Sequence, residues 1–177
     1  SEGELGLWYP KSESPLFADL VIEGKLPPVI ERVGSEPVVL NGVDGIGRYG
    51  GTWLHVVGSP SEVGVMGAYY SGATLVRFSP LGYPIVPHIA KSWESSSDKR
   101  EWTFYLRRGM KWSDGHPFTV DDLIFWYENV LLNKELTPVA HQHFVRGDEV
   151  VRVEKIDDYT VRFRFKRANG IFLLGMA

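Results

Sequence analysis

Several groups in this 177-residue chain have the types and spacing that chemistry uses. His141-Gln142-His143 sets two imidazoles two residues apart, which on a strand would project to one side as metal ligands do. Neither a carboxylate nor a third histidine stands at a defined spacing from them, so the pair reads as loop and not as a metal centre. Asp121 and Asp122 are paired carboxylates of the kind that general acid–base catalysis employs. They fall in the first turn of an expected helix, where free amides and the positive helix end already favour acidic side chains. Arg162, Arg164, Lys166 and Arg167, with Arg107, Arg108 and Lys111 elsewhere, make a basic set that could meet phosphate. Glu149, Glu154, Asp157 and Asp158 are interleaved with it, so the set reads as the solvated face of a sheet. Gly42 to Gly51 (GVDGIGRYGG) carries a loose glycine pattern, but it precedes a strand instead of following one, the wrong side for a dinucleotide site. No serine elbow, phosphate loop or zinc helix motif is present. The chain is expected to hold no catalytic residue, no metal site and no cofactor, and not to be an enzyme.

The elements that would position any site follow from periodicity and turn chemistry. Trp102, Phe104 and Leu106 alternate with Thr103 and Tyr105, the two-residue period of a strand with one buried face. Arg108-Gly109 turns the chain, Met110 to Ser113 reads as a short return strand, and Asp114-Gly115 favours positive φ in a tight turn. Pro117 pushes the start of a helix beyond itself, Thr119 is a good N-cap, and Asp122 can reach back to the cap amide. Leu123, Phe125, Trp126, Val130 and Leu131 then recur at roughly helical spacing. Tyr159, Val161, Phe163 and Phe165 face one way along a strand, with Thr160, Arg162, Arg164 and Lys166 on the other face. Asp157-Asp158 supplies the turn from a preceding strand near Val150 to Lys155, and Asn133 to Gly147 reads as a polar loop. Trp93, Trp102, Trp112 and Trp126 are expected to share one core.

Upstream, Thr52 to Val57 reads as a strand broken by Gly58-Ser59-Pro60-Ser61, and Val63 to Leu75 as a glycine-rich helix. In the first 47 residues only Pro15 to Glu23 has helical periodicity, with Gly24 as its C-terminal stop. Zero cysteines excludes a disulfide framework, and a formal charge of −3 gives no pull toward nucleic acid or anionic lipid. The sequence shows neither a signal peptide nor an apolar run of membrane-spanning length. The apolar run Ile171 to Ala177 lacks a cap or a polar tail, which is expected of an N-terminal piece of a longer protein.

Pro87-His88-Ile89-Ala90-Lys91-Ser92-Trp93-Glu94, followed by Trp102 to Asp122 (WTFYLRRGMKWSDGHPFTVDD), resembles the signature stretch of the extracytoplasmic solute-binding proteins of family 5. These are the peptide-, dipeptide- and nickel-binding receptors of ABC importers. Arg48 to Trp53 resembles the family's entry into its first strand, and Val153 to Phe165 the hairpin after the helix. Leu16 to Arg32 is similar to an N-terminal extension of a longer-chain subset. The resemblance implies a mixed α/β (α+β) fold of the type II periplasmic-binding-protein kind, present in part. Residues 1–51 would be an extension wrapping the body, 52–75 the first strand and helix of domain I, and 76–177 the small domain II. The rest of domain I and all of domain III would lie outside the chain. It further implies a non-catalytic receptor that captures an oligopeptide or related organic solute outside the cytoplasm, in the periplasm or at the outer membrane face. That receptor would deliver its solute to ABC permease subunits and meet the membrane only through them. Ser59, Pro60, Ser61 and Glu62, in the loop that borders the cleft in this family, are the expected ligand contacts, with Tyr69 and Tyr70 on the glycine-rich helix. A stand-alone interaction or regulatory module using the same fold is the alternative.

Overall fold

A computed structural model of the chain describes residues 13–39, 48–52, 54–64, 72–79 and 81–177. They fall into two compact units, Ser1–Ala73 and Thr74–Ala177.

In the first unit, Ala18–Ile22 forms helix α1 and Val29–Arg32 forms α2. Gly24 at φ 69° ends the first helix, a conformation glycine adopts without a Cβ penalty, as its sequence position implies. Glu13, which sequence reasoning overlooked, ties the segment before α1 to α2. Its carboxylate accepts the Ser14 and Val29 amides, both at 3.0 Å, and pairs with the Arg32 guanidinium, which also stands 5.5 Å over the Phe17 ring. The bond from Arg32 is the largest of the influences that hold the Glu13 carboxyl below its ordinary value. The expected strand at Thr52 to Val57 does not form: residues 54–57 have no regular secondary structure, with Leu54 84% and Val56 99% exposed. A strand exists through its ladder, and β-branched composition without a paired neighbour does not make one. The expected helix at Val63 to Leu75 begins on time, with Val63 and Gly64 helical, but residues 72–75 are not. The Thr74 amide donates to Nδ1 of His88 at 3.2 Å instead of to a preceding carbonyl, and the carbonyls of Thr74 and Leu75 accept the Ile89 and Ala90 amides at 3.2 and 2.9 Å, so these residues bond across the chain and not along a helix.

The second unit opens on a hairpin of β1 (Val76–Phe78) and β2 (Ile85–Pro87). A four-stranded antiparallel sheet follows, built from β3 (Ala90–Ser95), β4 (Glu101–Leu106), β7 (Arg152–Asp157) and β8 (Thr160–Arg164) in the order β3-β4-β8-β7. The short pair β5 (Val145–Arg146) and β6 (Glu149–Val150) precedes β7. Helix α3 (Val120–Trp126) continues as a π-helical turn over Tyr127–Leu131, and α4 (Phe172–Gly175) closes the chain. Along β4 and β8 the expected alternation holds: Trp102 pairs with Phe163 and Phe104 with Val161, all buried, and Leu106 and Phe165 extend the same core. Thr103 is also buried on the opposite face, because the Arg162 guanidinium folds over it and reaches its hydroxyl at 3.4 Å.

Met110 to Ser113 does not return along β4, whose neighbours are already β3 and β8. Lys111 bridges forward to Pro117 around the Asp114-Gly115 turn, with Gly115 at φ 92°. The helix start is as expected. The Thr119 hydroxyl accepts the Asp121 amide at 3.3 Å, and the Asp122 carboxylate accepts the Thr119 amide at 2.8 Å. Phe125, counted toward the buried face, is 64% exposed. Trp112 likewise stands apart from the shared core, half exposed. Its ring packs on Phe118 at 5.4 Å and its indole donates to Asp122 at 3.0 Å, so it braces the cap. Phe172 is fully buried at the centre of the core, 4.9 to 6.3 Å from the rings of Trp102, Phe104, Phe144, Phe163 and Phe165. The apolar end of the chain thus supplies the residue around which the second unit packs.

Candidate ligand-binding site

The loop at Ser59 to Glu62 is a single 3-10 turn over Pro60–Glu62. Proline suits its first position, since that turn leaves the first amide unused. The Glu62 amide donates to the Ser59 carbonyl at 3.1 Å, and the Glu62 carboxylate folds back to accept the Gly58 amide at 2.7 Å. The Ser59 and Ser61 hydroxyls lie 2.8 Å apart. Ser59 is half-buried, while Pro60, Ser61 and Glu62 are exposed. The turn therefore presents two hydroxyls and a carboxylate whose geometry is fixed by its own backbone. That set donates and accepts hydrogen bonds and carries one negative charge. Tyr69 and Tyr70 lie outside the described residues.

The other chemistry-bearing groups of the sequence are taken up by structure. Asp122 is the helix cap, and Asp121 pairs with Lys155 at 2.7 Å, which also meets Asp158 at 2.8 Å. The bond from Asp121, then that from Asp158, raises the Lys155 pKa above its ordinary value. Arg164 reaches Glu101 at 2.9 Å and Glu154 at 3.7 Å, Arg162 lies 3.9 Å from Glu101, and Lys166 pairs with Glu149. Carboxylates of β4, β6 and β7 thus cross the basic stripe, as the interleaving in the sequence led one to expect. His141 and His143 stack at 4.5 Å on a 3-10 turn, beside a shallow groove that Val139, Arg146 and Gly147 help line. Among the described residues no group of three or more histidines, cysteines or carboxylates could hold a metal ion. Asn169, buried at 1% exposure and unremarked in the sequence, accepts from Arg146 and donates to the His143 carbonyl at 3.5 Å. An isolated asparagine in a loop carries no periodic signal that would have revealed it.

Residues 84–177 match the family described as bacterial extracellular solute-binding proteins, family 5 Middle. The chain belongs to that family. The resemblance that ran from Pro87 to Asp122 therefore stands, and so does the expected fold class. The periplasmic alpha-galactoside-binding protein of Rhizobium meliloti (strain 1021) is 35% identical over 164 residues, 82% of this chain and 24% of that protein. A solved structure named oligopeptide-binding protein OppA superposes with a TM-score of 0.80 at 41% identity, over 93% of this chain and 25% of its own. The periplasmic binding protein MelB of Agrobacterium fabrum C58, solved with stachyose, superposes with a TM-score of 0.74 at 33% identity, over 95% of this chain and 29% of its own. The family 5 chain spans about a quarter of the length of these relatives. Among its described residues no helix is long and apolar enough to cross a membrane.

Proposed function

We propose that this chain is part of a solute receptor of an ABC importer, which captures an oligopeptide or related organic solute without covalent chemistry and hands it to the permease subunits. The observation that carries the reading is the chain-long likeness to an oligopeptide-binding protein and a periplasmic binding protein, at TM-scores of 0.80 and 0.74. In this reading residues 1–51 are an extension on the body, 52–75 open the first domain, and 76–177 are the small second domain. The remainder of the first domain and a third domain complete the receptor in the periplasm or at the outer face of the membrane.

Ser59, Pro60, Ser61 and Glu62 are the proposed contacts on the cleft side, with Tyr69 and Tyr70. The chemistry of the turn suits a ligand dense in hydrogen-bonding groups, since two hydroxyls and a carboxylate offer both donors and acceptors to amides or to sugar hydroxyls. A second reading, an α-galactoside as the solute, is favoured by the names of two relatives that match more than four-fifths of the chain. Calorimetric titration of the full-length receptor with stachyose and with an oligopeptide mixture separates the two. Ser61→Ala with Glu62→Gln is expected to weaken whichever solute binds by at least about tenfold, the loss of roughly 1.4 kcal/mol of hydrogen bonding. Unchanged affinity in that variant would remove the turn from the site.

A further inference from the structure

Thr74 is the first residue of the second unit, and hydrogen bonds at its carbonyl, hydroxyl and amide hold it. Its carbonyl accepts the Ile89 amide at 3.2 Å, its hydroxyl donates to the Val76 carbonyl at 2.6 Å, and its amide donates to Nδ1 of His88 at 3.2 Å. His88 sits between β2 and β3, and its own carbonyl accepts from Nε of Arg107 at 2.6 Å, so the backbone that carries the imidazole is itself anchored. The bond from the amide ends on a titratable atom.

Accepting an amide requires a bare lone pair on Nδ1, hence the neutral tautomer with its proton on Nε2. A proton added at Nδ1 removes that lone pair. The nearby Thr74 hydroxyl, 3.4 Å from Nδ1, can accept from the new N–H, but the Thr74 amide loses its partner. The charged groups acting on the ring are Arg77 of β1 and Arg107 beyond β4, both cationic and both opposed to an imidazolium. Burial first, then Arg77, hold the His88 pKa below its ordinary value; the Thr74 backbone opposes them, and Arg107 adds a smaller push downward.

We propose that His88 is a proton-operated latch on Thr74: the neutral ring fastens the amide at the start of the second unit, and protonation releases that amide. The latch is independent of the loop at Ser59 to Glu62 and does not rest on the identity of the solute. Its sign follows from linkage. A histidine depressed in the folded state contributes stability that is complete above the ordinary value of 6.5 and is lost as pH falls through the folded value.

Hydrogen exchange at the Thr74 amide, followed by NMR and normalised to the intrinsic rate at each pH, tests this in the 177-residue chain. Protection is expected to fall by up to about tenfold per pH unit below the His88 titration, and to be independent of pH in His88→Gln, whose carbonyl accepts without titrating. An equal fall in both proteins, or constant protection while His88 titrates, would overturn the proposal. The imidazole nitrogen signals of the unsubstituted protein give a second reading that needs no variant. The Nε2–H tautomer is expected above the titration, and a neutral Nδ1–H tautomer would sink the latch.

Discussion

Phe172→Ala should be the most damaging single truncation in the second unit. Phe172 is fully buried, and its ring lies within 6.3 Å of five other aromatic rings, two of them on β4 and one on β8. Truncating a buried phenylalanine costs about 3–5 kcal/mol, the transfer of the ring plus the cavity it leaves. The surrounding rings belong largely to paired strands, which cannot close the gap without shearing the sheet, so the upper half of that range, about 4–5 kcal/mol, is expected. With a urea dependence of roughly 2 kcal/mol per molar for a domain of this size, the midpoint should drop by about 2 M. Tryptophan fluorescence reports the transition directly, since Trp102 is itself buried with its ring 6.0 Å from that of Phe172. Phe172→Leu, which retains most of the volume, should lose less than about 1.5 kcal/mol. Phe125→Ala, at a side chain 64% exposed, should stay within about 0.5 kcal/mol of the parent. A Phe172→Ala loss no larger than that of Phe125→Ala would refute the placement of Phe172 at the centre of the core.

Two smaller perturbations probe local structure. Thr119→Ala removes the hydroxyl that accepts the Asp121 amide and should cost about 1 kcal/mol in urea unfolding of the second unit, whereas no change would mean the cap is redundant. In the first unit, Glu13 is held below its ordinary carboxyl value chiefly by Arg32, so the stability it contributes is present above pH 4.5 and lost as pH falls through its folded value. Exchange protection of the Val29 amide should follow that fall and should be flat with pH in Glu13→Gln; a parallel fall in both would assign the effect elsewhere.

The sequence reads well where pattern is local. The alternation on β4 and β8 and the Thr119-Asp122 box depend on residues a few positions apart, and each takes its expected form. It reads poorly where the deciding partner is distant. Whether Thr52 to Val57 becomes a strand depends on a neighbour that composition does not reveal, and Thr74 and Leu75 leave the expected helix for bonds with residues 88–90. Phe125 fits the helical period and Trp112 is expected in the shared core, yet the chain turns both outward. The family was legible because its turn residues and tryptophans are closely ordered between Pro87 and Asp122. Asn169, Glu13 and His88 act through contacts 14 or more residues away or through burial, and neither leaves a mark on local periodicity.

Capture of a solute is the central claim, and native mass spectrometry of the full-length receptor purified without added ligand measures it most directly. A single non-covalent mass increment is expected, displaced by one of stachyose or an oligopeptide and leaving the polypeptide mass unchanged. A receptor that carries and takes up neither, or that converts the offered solute to product, would contradict the account.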